Sequence, residues 1–359
     1  MRQALASPMM ETRPSGIVIS TTEHDRGSRS SGKACDDAIE VKSSDWMRIV
    51  ARAWRSPRLL LVPVLLALVI WYVDPAALWA KLSHANHWLV VLTVVVSVAA
   101  SFLSAMRWAL IARGLDLTAP RSRLVLMYAR GIATNMLLPG ATLSGDLLRS
   151  VQLSRLGNPF TTSALSVLLD RFSGLWVLCI LSLLAAAGVA VWGATAEGEG
   201  IAPAHLWAYA LVLAGFAAAP FIALPFGKLK HSSIGWVAVL ASRWERLWQR
   251  LMHARFALLA SVWQSLGVVC LSACALWICG VAVGVSLSFL AMLAAAAPIF
   301  IMAAVPIGVA GFGTRELGAV IVLGLAGVPG DLAAATALLY GMAAVVQGIL
   351  AAPLLCTKP

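Results

Sequence analysis

Beyond a polar stretch of about forty-five residues, the chain is a succession of long apolar runs separated by short polar ones. Each run is measured here against the roughly 20 residues needed to span a bilayer. Leu59–Val73 is a short first span with Pro63 inside it, and His87–Ile111 is a long second one. Leu124–Leu138 stops at Pro139-Gly140 and is too short to cross comfortably, and a short charged helix, Asp146–Leu156, follows it. Thr161–Trp192 is apolar apart from Asp170 and Arg171, and Leu206–Leu224 and Phe256–Val283 also span. Leu287–Val305 ends at Pro306, ahead of a glycine-rich turn at 308–313, a short helix Arg315–Leu325 and a last span Leu332–Leu355. The pattern predicts an all-α polytopic membrane protein of about six full spans plus two re-entrant helical hairpins. Eight crossings are the alternative.

Composition excludes a water-soluble fold. Of 359 residues, 60% are hydrophobic and 12% charged, and the mean hydropathy is +0.86; soluble domains run at about 45–50% and 25%. The net charge is +11, and the 17 basic and nine acidic residues beyond residue 58 are spread thinly and form no basic face of the kind that binds nucleic acid. Residues 1–45 read as a disordered polar amino-terminal tail, without the apolar core of a signal peptide and dispensable for the fold, and residues 46–359 as the membrane domain. The six cysteines show no metal-type spacing, and no cofactor is expected.

Short-loop Lys/Arg bias orients the chain. Arg48, Arg52, Arg55 and Arg58 precede the first span, Arg113, Arg121 and Arg123 follow the second, and Lys228 to Arg255 supply six more. The opposite loops hold Lys81 alone at 74–86, and Glu197 and Glu199 at 193–205. All basic segments share the cytoplasmic side of a cell (inner) membrane, with both termini, if Leu124–Leu138 turns back. The order span, broken half-helix, charged short helix, span then occurs at 87–192 and again at 256–355 with opposite entry. This is an inverted-topology repeat, the sequence pointer to a transporter's binding site. Between these halves, Val237, Leu240, Trp244, Leu247 and Leu251 form one helical stripe suited to the inner leaflet, the alternative being a cytoplasmic loop helix with no lipid role.

Charge at membrane depth is costly and demands a partner or a task. The sites are Arg107, Arg130, Asp146 with Arg149, Asp170-Arg171 and Arg315-Glu316. Asp146 and Arg149 are placed to pair at i,i+3, whereas Asp170 and Arg171 point about 100° apart and need partners on other elements. Arg130, with Asn135 just over a turn away, is expected to be neutralised across the hairpin by Asp146 or Asp170. If the hairpins re-enter, the non-helical backbone at Leu138-Pro139-Gly140 and at Gly308–Gly313, Gly311 and Gly313 included, precedes helix starts whose N–H groups favour an anion. With Arg149 and Arg315 these form a receptor for a phosphate headgroup; the alternative is a set of ion pairs locking the hairpins. Gly140–Asp146 has the glycine spacing of a P-loop but holds Asp146 at the lysine position, and no histidine lies at membrane depth to serve a catalytic triad. No enzyme is expected.

At these residues the chain resembles a known family. Ala105-Met106-Arg107-Trp108, Asn135-Met-Leu-Leu-Pro139-Gly140, Gly145-Asp146-Leu-Leu-Arg149, Asp170-Arg171 and Pro306-Ile-Gly308-Val-Ala-Gly311-Phe-Gly313-Thr-Arg315-Glu316 are similar to motifs of the lysylphosphatidylglycerol synthase transmembrane region, the flippase-like or AglD-type integral membrane family. The resemblance covers about residues 47–355. Asp146 stands where Glu is commoner, and Ala141–Ser144 replaces a tighter turn. It implies a domain that, in aminoacyl-lipid members, moves lipid between leaflets, without the soluble synthase domain those members carry. The expected function is a translocase or lipid-binding transporter for an anionic or polyprenyl-linked lipid, its partners the membrane lipids themselves. Arg130, Arg149, Arg171 and Arg315 would receive the headgroup, with Asp146, Asp170 and Glu316 balancing charge. The alternative is a non-transporting accessory subunit of a lipid-modifying or glycosyl-transferring enzyme.

Overall fold

The computed structural model describes residues 83–137, 143–193, 251–305 and 311–355, with isolated positions at 211, 214, 215, 245, 248 and 249. The predicted tail, the spans Leu59–Val73 and Leu206–Leu224, most of the 237–251 stripe, Pro139-Gly140, Pro306 and Gly308 lie outside the described residues. Among the described residues every regular element is helical. In chain order these are α1 (His87–Gly114), α2 (Arg121–Leu137), α3 (Leu143–Ser154), α4 (Phe160–Gly193), α5 (Arg255–Val283), α6 (Phe289–Ala304), α7 (Thr314–Gly324) and α8 (Gly330–Ala351), closed by one 3₁₀ turn, Ala352–Leu355. Four helical stretches are long and apolar enough to cross a membrane: α1, Phe160–Val191 of α4, α5, and Gly330–Leu355.

The helices are turned inside out relative to those of soluble proteins. On α1 the buried stripe is Thr93, Ser97, Ala100, Ser104 and Arg107, while Val91, Val95, Val98 and Phe102 are exposed. On α5, Ser261 and Ser265 are fully buried and Phe256, Leu259 and Trp263 exposed. In lipid the exposed face has to be apolar, and helices associate through small residues and a few polar contacts. α1 and α5 pack antiparallel along their whole length. The Asn86 N–H donates to the Ala282 carbonyl at one end, Cys279 Sγ lies 3.6 Å from Thr93 Oγ1, Gly267 faces Leu103, and Gly114 meets Ala257 at the other end.

α2 and α3 form an antiparallel hairpin that returns to the end from which it starts. The Asn158 side chain, just past α3, accepts from Thr118 N–H at 2.8 Å and donates to the carbonyls of Thr118 and Leu153, tying the α3–α4 loop to the α1–α2 loop. α6 and α7 form a second hairpin, whose exit loop at Val328 packs with Val285 and Leu287 beside the α5–α6 connection. Since α1 and α5 run oppositely, the two hairpins enter from opposite ends.

The halves match in detail. α1, α2 and α3 have 28, 17 and 12 residues; α5, α6 and α7 have 29, 16 and 11. α1 ends with Asp116 in the left-handed region and a Leu117 N–H to Ala112 carbonyl bond; α5 ends with Gly284 likewise and Val285 N–H to Gly280. Gly157-Asn158-Pro159 before α4 and Gly327-Val328-Pro329 before α8 repeat the same turn, each glycine at positive φ and each proline carbonyl accepting from the residue four further on. Each proline also caps a helix it cannot join from the interior.

The α2–α3 hairpin closes at a backbone contact. A Cβ on Gly145 would run into the Gly131 carbonyl oxygen and lie 2.6 Å from Asn135 Oδ1. Gly145→Ala is therefore expected to cost about 1–3 kcal/mol by overpacking, whereas Gly324→Ala, which meets open space, is neutral or slightly stabilising. Thermal unfolding of the solubilised protein compares the two; equal midpoints would disprove the close approach.

Candidate functional site

The first charge centre joins α1, α3 and α4. Asp170 on α4 accepts from Arg107 Nε of α1 at 2.9 Å and from Arg149 Nη1 of α3 at 3.4 Å. Asp146 accepts from Arg149 Nη2 at 2.6 Å, the expected i,i+3 pair, and from Arg171 Nε. Asp170 and Arg171 thus find partners on other elements, as their adjacency requires. Arg107 also donates to Ser265 Oγ of α5 at 3.1 Å. The Arg149 guanidinium lies 5.0 Å from the Trp108 ring centre and 4.6 Å from that of Tyr128, within cation–π range. Arg107, Arg149 and Asp170 are buried, while about a third of the Arg171 side chain is exposed. Among the described residues, three guanidiniums thus meet two carboxylates here.

The second centre is smaller. Arg315 Nη2 donates to Glu316 Oε1 at 2.9 Å, both side chains buried, with the rings of Phe312 and Tyr340 at 5.0 and 5.8 Å. Glu316 Oε2 accepts from the Gly313 N–H at 2.6 Å, capping α7. Gly311, at positive φ, packs on the Ala303 backbone at the hairpin turn. At α3 the Gly145 N–H donates to Asn135 Oδ1 at 2.7 Å. The helix-start N–H groups at Gly145 and Gly313 are therefore already occupied. Arg130 Nε donates to the Leu354 carbonyl at 2.9 Å, while Asp146 and Asp170 accept from Arg107, Arg149 and Arg171. The cause is the carboxyl end of α8 lying against α2, where its last carbonyls need donors.

Between the halves lies a cavity of about 210 Å³, lined by Ser97, Ser101 and Ser104 of α1, Ile132, Asn135 and Met136 of α2, Ser272 of α5, and Tyr340, Ala344 and Gln347 of α8. Asn135 is the one anticipated site residue in its wall. The others carried a readable signal, since hydroxyls at 93, 97, 101 and 104 follow a helical stripe inside an apolar span. Three of them recur on α5 at 261, 265 and 272, each 168 residues after 93, 97 and 104. Among the described residues no His/Cys/Asp/Glu group is arranged to hold a metal ion.

The fold and this buried polar interior define a multi-pass helical membrane protein. The chain belongs to the lysylphosphatidylglycerol synthase transmembrane-region family, whose profile matches residues 58–352. That membership ties it to lipid metabolism or transport. No curated protein matches it significantly.

Removing one member of the buried network strands its partners. Asp170→Ala leaves Arg107 and Arg149 short of a carboxylate and is expected to cost about 3–5 kcal/mol, with Arg171→Gln, partly exposed, costing under about 1 kcal/mol. Denaturant unfolding in detergent distinguishes them; near-equal losses would contradict the hierarchy.

Proposed function

We propose that the protein is a lipid translocase, moving a lipid with an anionic or polyprenyl-linked headgroup between the leaflets of the cytoplasmic membrane, and that it is not an enzyme. The observation that supports this most is a cavity with hydroxyl and amide groups in its wall, at the junction of two matching halves whose hairpins enter from opposite ends. Inverted repeats with paired broken segments are the architecture of alternating access, with the substrate held at the repeat interface. In this reading both hairpins are re-entrant and six spans cross, with Leu59–Val73 and Leu206–Leu224 as the remaining two. Both termini are cytoplasmic. The headgroup enters beside Arg171, the most accessible of the clustered arginines, with Arg130, Arg149 and Arg315 behind it. Asn135 links the arginine network to the cavity, because it caps the helix that carries Asp146 and Arg149 while lining the space itself.

Topology is tested by cysteines at the two exposed hairpin exits. Arg155→Cys is expected to react with impermeant maleimide only from the cytoplasmic side, and Leu325→Cys only from outside. Labelling of both from one side would refute opposite entry. Function is tested in proteoliposomes holding fluorescent phosphatidylglycerol or polyprenyl phosphate and an impermeant quencher. The wild type is expected to accelerate inner-leaflet loss, and Arg171→Gln to slow it about tenfold, the worth of one charge-assisted hydrogen bond. Folded wild-type protein moving neither lipid faster than empty vesicles would favour the accessory-subunit reading.

A further inference from the structure

We infer that the cavity between the halves receives an uncharged, hydroxyl-rich group of about one sugar ring, so that the transported lipid carries a glycosyl headgroup. This rests on the translocase reading and names its substrate class. The cavity wall supplies Ser97, Ser101, Ser104, Ser272, Asn135, Gln347 and Tyr340, a set of hydroxyls and amides with no charge among them. Such groups donate and accept in the same pocket, which matches the two-way hydrogen bonding of a polyol and not the acceptor-only surface of a phosphate.

Ser97 is the specific pointer to a ligand. Thr93, Thr134, Ser265 and Thr336 all return their hydroxyls to the carbonyl four residues back, the default for a hydroxyl inside a helix. Ser97 does not: its Oγ has no hydrogen-bond partner and is itself closed off, on a residue of the cavity wall that is only 7% exposed. A buried hydroxyl left unmatched is unfavourable, and a turn of the Ser97 side chain toward the cavity would let a ligand hydroxyl supply the missing bond. Across the cavity, Ser101 Oγ donates to Gln347 Oε1 at 2.7 Å, which leaves the Gln347 amide N–H groups as donors for a ligand oxygen.

Size points the same way. At about 210 Å³ the cavity is below the roughly 300–1,000 Å³ of pockets for drug-sized ligands. It holds a headgroup, while the acyl chains stay outside. The clustered arginines do not line it, and their guanidiniums already carry carboxylates.

The test is a matched pair of fluorescent-acyl lipids in proteoliposomes of the full chain: phosphatidylglucoside and phosphatidylmethanol. They share one phosphodiester and differ in the sugar ring. Phosphatidylglucoside is expected to cross at least about tenfold faster, and Ser97→Ala to lower the ratio of the two rates about fivefold, the loss of one neutral hydrogen bond. Ser97→Leu, which fills the cavity, should abolish the preference; if it misfolds, the Ala variant still decides. Equal rates for both lipids would overturn the inference and leave translocation standing. Transport of neither would overturn both. Methyl glucoside at millimolar concentration raising the unfolding midpoint as much as phosphatidylglucoside does would assign the cavity to a free sugar and overturn the lipid assignment.

Discussion

One carboxylate holds the first half together. Asp170 takes a guanidinium from α1 with one oxygen and a guanidinium from α3 with the other, so a single side chain on α4 fixes where three helices meet. Its own burial would be prohibitive without them, since an unpaired ion in a low-dielectric interior costs several kcal/mol even after relaxation. The rest follows from closing that account. Two arginines against one acid require another carboxylate, which Asp146 supplies, and Arg149 needs flat faces for its remaining surface, which Trp108 and Tyr128 supply. Gly131 and Gly174 stand where the Arg149 and Arg107 side chains pass, because a Cβ at either position would sit within 3.2 Å of them.

The second half solves the same problem with fewer charges. α3 and α7 each carry an acid in their first turn, Asp146 and Glu316. The position 170 residues beyond Asp170 is Tyr340, so in place of a second bridging carboxylate Arg315 has an aromatic face. Backbone architecture is conserved between halves down to the hydrogen bonds of the α3–α4 and α7–α8 turns, while the chemistry has diverged. That divergence makes the central cavity asymmetric, since Asn135 belongs to the first hairpin and Tyr340 and Gln347 to the last helix.

Much of this was legible in the sequence because lipid imposes a coarse rule. Apolar length alone placed α1, α4, α5 and α8 to within a few residues, and Pro/Gly breaks placed both hairpins. Local pairing was legible too: Asp146–Arg149 follows from helical spacing, and the outward search of Asp170 and Arg171 from their adjacency. The bond from Arg130 to the Leu354 carbonyl was not legible, because that carbonyl is 224 residues away and belongs to backbone, which carries no residue-type signal. The cavity was missed for a related reason. Serine is small, common in membrane helices and uncharged, so Ser97, Ser101 and Ser104 stand out only when read as a stripe and set beside their counterparts on α5.

The location of the charges bears on movement. The buried ion pairs described lie within one half or the other: Arg107, Arg149, Arg171, Asp146 and Asp170 in the first, Arg315 and Glu316 in the second. Across the seam the described residues make hydrogen bonds, among them Arg107 to Ser265, Ser101 to Gln347, Ser182 to the Leu293 carbonyl and Arg130 to the Leu354 carbonyl, together with small-residue packing along α1 and α5. Hydrogen bonds between membrane helices average about 0.6 kcal/mol each, against about 3–5 kcal/mol for stranding one buried charge. A rocking of one half on the other, of the kind the proposed translocation calls for, would break hydrogen bonds, including those of Arg107 and Arg130, and leave each buried ion-pair cluster intact. The ion pairs tie each half to itself, and the seam between the halves holds no described carboxylate–guanidinium pair.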